Sequence, residues 1–253
     1  MRAVAVIAFL VFLLPGIFNA VASDDPDAYL IVKKAWDHWR GLTSYTEMTM
    51  TIHRPAWERS MSMRVWTEDQ SRSLVRITAP KKDAGNGTLL LDKSMWIYSP
   101  RINRIIKIPS SMMNQSWMGS DFSNNDVSRA DDILDQYDHV LIDQYEQAGK
   151  HVYVIESTPH EDASVVWGKE VIRVSEDNIV LAHEFIDQNG RLVKSLRTLD
   201  TADMGGRIIA SRQRMQKMDR EGEWTEITVE TARYDIPLDK NLFTRSNLRN
   251  PRE

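Results

Sequence analysis

The chain has 253 residues, 32 Lys and Arg against 36 Asp and Glu, a net charge of −4, and no cysteine. That length suits one β-rich domain with a sizeable core. The mildly acidic, mixed-sign charge argues against a nucleic-acid backbone as partner, and without cysteine there is no disulfide, no thiol nucleophile and no N-terminal cysteine to lipidate.

Residues 1–22 read as a cleaved signal peptide: Arg2 supplies a charge, Ala3 to Phe18 an apolar run broken at Pro15-Gly16, and Ala20-Val21-Ala22 a small-x-small site before Ser23. The run is short for a span of about 20 residues. Export leaves a single domain at 23–253, with the periplasm as its expected location. Asp25 to Trp39 is the predicted first helix, with Asp25 as N-cap, Pro26 at the first helical position and Gly41 as its stop. Ala28, Ile31, Val32, Ala35 and Trp39 make its apolar stripe.

Strand alternation follows. Met48, Met50 and Ile52 share one face, as do Met61, Met63 and Val65 after a turn at Pro55-Ala56. Methionine is a flexible filler that suits either an adaptable pocket or a loosely specified core. Leu74 to Thr78, Gly87 to Leu91, Trp96 to Tyr98 and Ile102 to Ile108 continue the pattern. Met112 to Phe122 breaks it: Met112, Met113, Trp117, Met118 and Phe122 lie among Ser, Asn, Gln and Gly, too apolar for a solvated loop and too interrupted for a core helix. Such a connection is often a lid or binding loop, and otherwise an irregular core plug. Asp126 to Asp138 is acidic and partly helical in character. Strands resume at Val140 to Tyr145, Val152 to Ser157, Val165 to Val174, Ile179 to Ile186, Leu192 to Leu199, Arg207 to Lys217 and Trp224 to Tyr234, with a hairpin signal at Asn189-Gly190. About a dozen strands, one helix and one irregular insert predict a mainly β fold with some α: a highly curved antiparallel sheet covered by the helix and the insert.

The residues carry no recognisable catalytic or metal-binding constellation. The six histidines are scattered without ligand spacing, Ser120 in Gly119-Ser120-Asp121 lacks a nucleophile elbow, and the acidic residues near 121–132 lack a calcium-loop spacing. No cofactor is expected.

One stretch carries a resemblance. Asp92-Lys93, Trp96-Ile97-Tyr98-Ser99-Pro100, Arg104, Ile108-Pro109 and Met118-Gly119-Ser120-Asp121-Phe122-Ser123 followed by Asp126 resemble the outer-membrane lipoprotein-sorting protein family, LolA-like periplasmic proteins. Trp117 stands where that pattern has Phe, and Asn124-Asn125 where an aromatic and an acid are usual. The resemblance implies an incomplete β-barrel with a hydrophobic cavity, closed by an N-terminal helix and a central helical lid, here about 110–136. It also implies a monomeric, non-catalytic carrier of lipoprotein acyl chains or free lipid, with transient membrane contact and an inner-membrane transporter as a candidate partner. The alternative is a periplasmic lipid-sensing module acting on a membrane protein.

The expected ligand-binding residues are Met48, Met50, Met61, Met63, Trp96, Tyr98, Met112, Met113, Trp117, Met118 and Phe122, with Gly119, Ser120, Asp121 and Asp126 shaping the lid. Which face of each strand points inward is left open, because a one-residue slip reverses it. Intact-mass measurement of the protein recovered from the periplasm should give a chain beginning at Ser23; retention of residues 1–22 in a membrane fraction would contradict export with cleavage.

Overall fold

The computed structural model describes residues 26–128 and 131–251; the signal segment and Asp25 lie outside them. The described residues open with α1 (Ala28–Arg40), followed by β1 (Thr43–Arg54), β2 (Trp57–Glu68), β3 (Arg72–Ala79), β4 (Gly87–Leu91), β5 (Ser94–Ser99) and β6 (Arg104–Lys107). A connection then carries a 3₁₀ turn (Ser110–Met112), α2 (Asn124–Ser128) and α3 (Asp132–Asp135). The chain continues through β7 (Tyr137–Gln147), β8 (Lys150–Pro159), β9 (Lys169–Ser175), β10 (Val180–Ile186), β11 (Leu192–Met204), β12 (Arg207–Lys217) and β13 (Trp224–Tyr234), and ends in α4 (Arg245–Arg249).

All thirteen strands form one antiparallel sheet in the order β6-β5-β4-β3-β2-β1-β13-β12-β11-β10-β9-β8-β7. The first strand pairs with the last, Met50 opposite Ile227. The edges are therefore β6 and β7, which are consecutive in sequence and farthest apart in the sheet. Residues 108–136 must bridge them.

Alternation divides the sheet into two faces. The inner face of β1 to β5 gathers Met48, Met50, Ile52, Met61, Met63, Val75, Ile77, Leu90 and Met95, and against them pack Met113 and Trp117 of the connection. Toward the other edge, Ala28, Val32, Ala35 and Trp36 of α1 join Ile133, Leu134 and Tyr137 over Ile155, Ile172 and Val174. On the opposite face, Leu74, Leu89 and Tyr98 are covered by Phe243 and Leu248 from the C-terminal stretch, with Leu248 lodged where a side chain at Gly87 would clash.

Four local expectations shift. The cap of α1 is Asp27, whose carboxylate accepts from the Tyr29 and Leu30 amides, so the helix starts at Ala28. The last strand before the outer edge covers only Arg104–Lys107, because Arg101–Asn103 forms a turn with Asn103 at positive φ. The predicted Val165 strand begins at Lys169, after Gly168 passes so close to the Asp187 backbone that no Cβ fits. Trp96 and Tyr98 lie with Leu74 and Leu89 on the face covered by the C-terminal stretch, whereas Met95 and Ile97 face inward. Alternation gave the period of this short strand but not its parity.

Candidate ligand cavity

The inner face holds a partly open cavity of about 330 Å³. Its floor comes from β1 to β3, with Met48, Met63, Val65 and Val75; α1 contributes Trp36 and Trp39; the connection contributes Trp117, Phe122 and Val127; Phe185 and Met215 close the far side. Volumes of this order are typical of small-ligand sites, and the lining is predominantly apolar.

The connection is fixed above this space by polar contacts made at intervals along its path. Its first anchor is Trp117, whose indole N–H donates to Thr88 Oγ1 at 3.1 Å. Trp117 opens a small hairpin: the Ser120 amide donates to the Trp117 carbonyl at 3.0 Å, the Trp117 amide donates to the Phe122 carbonyl at 2.8 Å, and Ser116 bridges to Ser123. Met118 and Gly119 at its tip have φ of +53° and +80°, the positive values that primed hairpin turns require. The Ser120 hydroxyl, buried, donates to the Trp117 carbonyl at 2.7 Å and braces this turn.

Asp121 is the second anchor and is 1% exposed. The Arg54 guanidinium holds both of its oxygens, at 3.0 and 3.1 Å, and Thr225 donates to Oδ2 at 2.7 Å while accepting from the Asp121 amide at 2.9 Å. The motif aspartate thus joins the connection to β1 and β13. Next, Ser123 and Asp126 exchange hydrogen bonds: the Asp126 amide donates to Ser123 Oγ at 3.1 Å and the Ser123 amide donates to Asp126 Oδ2 at 2.7 Å. This is a capping box on α2, with Asp in place of the usual Glu. The same carboxylate receives Lys194 Nζ of β11 at 2.6 Å to each oxygen. That ammonium also lies 4.4 Å from the Phe185 ring centroid and 4.9 Å from that of Trp167.

The last contact is Asp131, which meets Arg40 of α1 at 2.7 Å. Burial pushes the Asp131 carboxyl up to about 6, against the opposing pull of Arg40. A second buried network lies in the cavity wall. Glu170 accepts from Tyr137 Oη at 2.5 Å and pairs with His183 Nε2. Burial, and then the charge of Glu170, raise the Tyr137 phenol. The His183 ring stacks on Phe185 with centroids 4.2 Å apart.

The structure brings together Met48, Met63, Trp117 and Phe122 as cavity lining. Met50, Met61 and Met113 are buried in the adjoining core, and Met118 packs against it. Met112 is 37% exposed, and Trp96 and Tyr98 belong to the other face. Sequence reasoning did not single out Arg54, Lys194, Thr225, Glu170 or His183. A buried Lys or Arg on a strand is the one sequence-visible clue, since alternation places it on an inward face where it needs a partner.

A family profile described as an uncharacterized protein matches residues 69–250. The chain belongs to that family, whose profile spans more than half of it. Among solved structures, a DUF1329 family protein from Desulfovibrio piger superposes with a TM-score of 0.79 at 26% identity, over 87% of this chain and 97% of that one. A putative outer membrane lipoprotein-sorting protein domain from Vibrio parahaemolyticus gives 0.76 at 21% identity, over 88% and 98%. A LolA superfamily protein from Nitrosomonas europaea gives 0.71 at 22%, over 87% and 98%. No curated protein matches this chain. The fold is therefore that seen in these LolA superfamily structures: one curved, open, antiparallel sheet with few helices. No helix among the described residues is long and apolar enough to cross a membrane.

Removing one member of a buried ion pair typically costs about 3–5 kcal/mol, because the other charge is left buried without a partner. Arg54 keeps Glu223 at 3.2 Å, so Asp121→Asn should lower the unfolding free energy by less than that, about 1–3 kcal/mol, read by urea titration. Replacing both members, as in the Arg54→Met, Asp121→Leu double variant, should recover most of the loss. A single variant as stable as the parent would show that the Asp121 contact does not hold the connection down.

Proposed function

We propose that the protein is a non-catalytic carrier that shelters an acyl chain, from a lipoprotein or a free lipid, in the cavity between the sheet and the connection. The observation that carries this reading is the cavity itself, an apolar space under a connection held on both sides of the sheet. An acyl chain of roughly fifteen carbons exposes on the order of 12 kcal/mol of unfavourable surface in water, at ~0.8 kcal/mol per CH₂. A soluble carrier between envelope membranes needs a dry interior and a cover, and no reacting group. The name of the Vibrio relative, a lipoprotein-sorting protein, agrees with that use. The signal-like start agrees with a periplasmic site of action.

In this reading Met48, Met63, Trp117 and Phe122 contact the chain, and residues 110–136 are a lid. The ion pairs Arg54–Asp121 and Lys194–Asp126 hold the lid closed over the cavity. A ligand shifts the balance toward the open form only if it binds that form better.

Two measurements test this. Met63→Asp places a carboxylate in the cavity floor and should abolish uptake of a fluorescent fatty acid; a folded variant with unchanged uptake removes that wall from the binding site. Cysteines at Asp121 and Thr225, whose side chains touch in the closed form, should slow loading severalfold when oxidised and restore it when reduced. Equal loading in both states would make residues 110–136 a fixed plug.

A further inference from the structure

The cavity floor changes chemical character along its length. The inward residues of β1 run Ser44, Thr46, Met48, Met50, Ile52; those of β2, in the same direction, run Thr67, Val65, Met63, Met61; those of β3 run Ser73, Val75, Ile77. The register sets Ser44 beside Thr67 and Thr67 beside Ser73, so three hydroxyls form one row across three strands. The next row is Thr46, Val65 and Val75, and the one after it Met48, Met63 and Ile77. Every residue of the first two rows lines the cavity, as do Met48 and Met63 of the third. Polarity thus falls from hydroxyl to thioether within three cross-strand rows.

The polar end is incompletely satisfied. Ser44 and Thr67 hydroxyls bond each other at 2.6 Å. Thr46 and Ser73 are 6% and 7% exposed, line the cavity, and have no side-chain hydrogen-bond partner among the described residues. Arg40 also lines the cavity and reaches this end, donating to the Asp69 carbonyl in the turn after β2 at 3.3 Å. Its guanidinium is already paired with Asp131 at 2.7 Å. A hydroxyl without a partner beside apolar side chains is costly, and a ligand offering acceptor oxygens to Thr46 and Ser73 would relieve that cost.

We propose that the cavity holds its amphiphile in one orientation, with the acyl carbonyl or carboxylate oxygens on the Thr46 and Ser73 hydroxyls beside Arg40 and the hydrocarbon running toward Met48, Met63 and Trp117. This rests on the carrier reading and adds direction and head chemistry to it. A headless hydrocarbon satisfies none of the donors, so the site selects for an oxygen-bearing acyl group. Free fatty acid and the acylated end of a lipoprotein share that chemistry.

The test uses N-phenyl-1-naphthylamine, an apolar fluorescent probe without acceptor oxygens, displaced by palmitate or by a synthetic triacylated lipopeptide. The two competitors separate free lipid from a lipoprotein end as the source. Thr46→Val with Ser73→Ala removes both free hydroxyls at nearly constant volume. It should weaken the effective competitor at least tenfold, at about fivefold per neutral hydrogen bond, and leave probe affinity within twofold. Thr46→Val alone, nearly isosteric, should cost about fivefold, and Thr46→Ser should keep parental affinity. Met63→Trp, which shortens the hydrocarbon end, should weaken palmitate more than decanoate. Unchanged competitor affinity in the double variant overturns the inference, as does equal loss of probe and competitor in a variant with an unaltered unfolding midpoint. Equal effects of Met63→Trp on the two chain lengths overturn the orientation. If the parent binds neither competitor, the carrier reading fails and this inference falls with it.

Discussion

The sheet order imposes one constraint on everything else: β6 and β7 are adjacent in sequence but occupy opposite edges. The connection between them has to cross the inner face, where there is little water to solvate it. A segment in that position must be apolar toward the sheet and must find partners for each charge it carries. Met113 and Trp117 enter the core of β1 to β5, while Asp121, Asp126 and Asp131 each meet a cation from a different element. Read in order, these partners trace the path over the sheet, from Thr88 on β4 to Arg54 on β1, Lys194 on β11 and Arg40 on α1.

The cavity follows from the same constraint. The connection fills the inner face beside β1 to β5 and α1 fills it beside β7 to β9, and the two leave a gap between them. Buried ion pairs add little net stability compared with apolar packing, because desolvation offsets most of the attraction. Their use here fixes register: the hairpin at 116–123 sits at one place because Asp121 fits one arginine and one threonine. Asp131 shows the cost of the same device, its carboxyl raised to about 6 by burial despite Arg40.

Much of the fold was legible in local pattern. The helical stripe from Ala28, the alternation of Met48, Met50 and Ile52, the Asn189-Gly190 turn and the irregular insert after Ile108 each reflect short-range physics, and each appears as an element or a break in the structure. The site was less legible because its decisive contacts are long-range. Nothing within reach of Asp121 in sequence announces Arg54 or Thr225, 67 and 104 positions away. β5 illustrates a different loss: six residues carry a clear period, but its parity depends on which neighbour supplies the core, and the C-terminal stretch that covers Tyr98 has no strong pattern of its own. The graded floor of β1 to β3 was visible only as separate strands, since its meaning depends on cross-strand register.

If the protein is a carrier, its cavity is occupied by acyl lipid in the cell. The most direct measurement is mass spectrometry of organic extracts from protein purified without detergent from its native envelope, quantified against protein. The account predicts acyl-bearing lipid or lipopeptide at near one molecule per protein, lost in a folded variant with a charge in the cavity floor. Extracts free of acyl species, from protein never exposed to detergent, would contradict it.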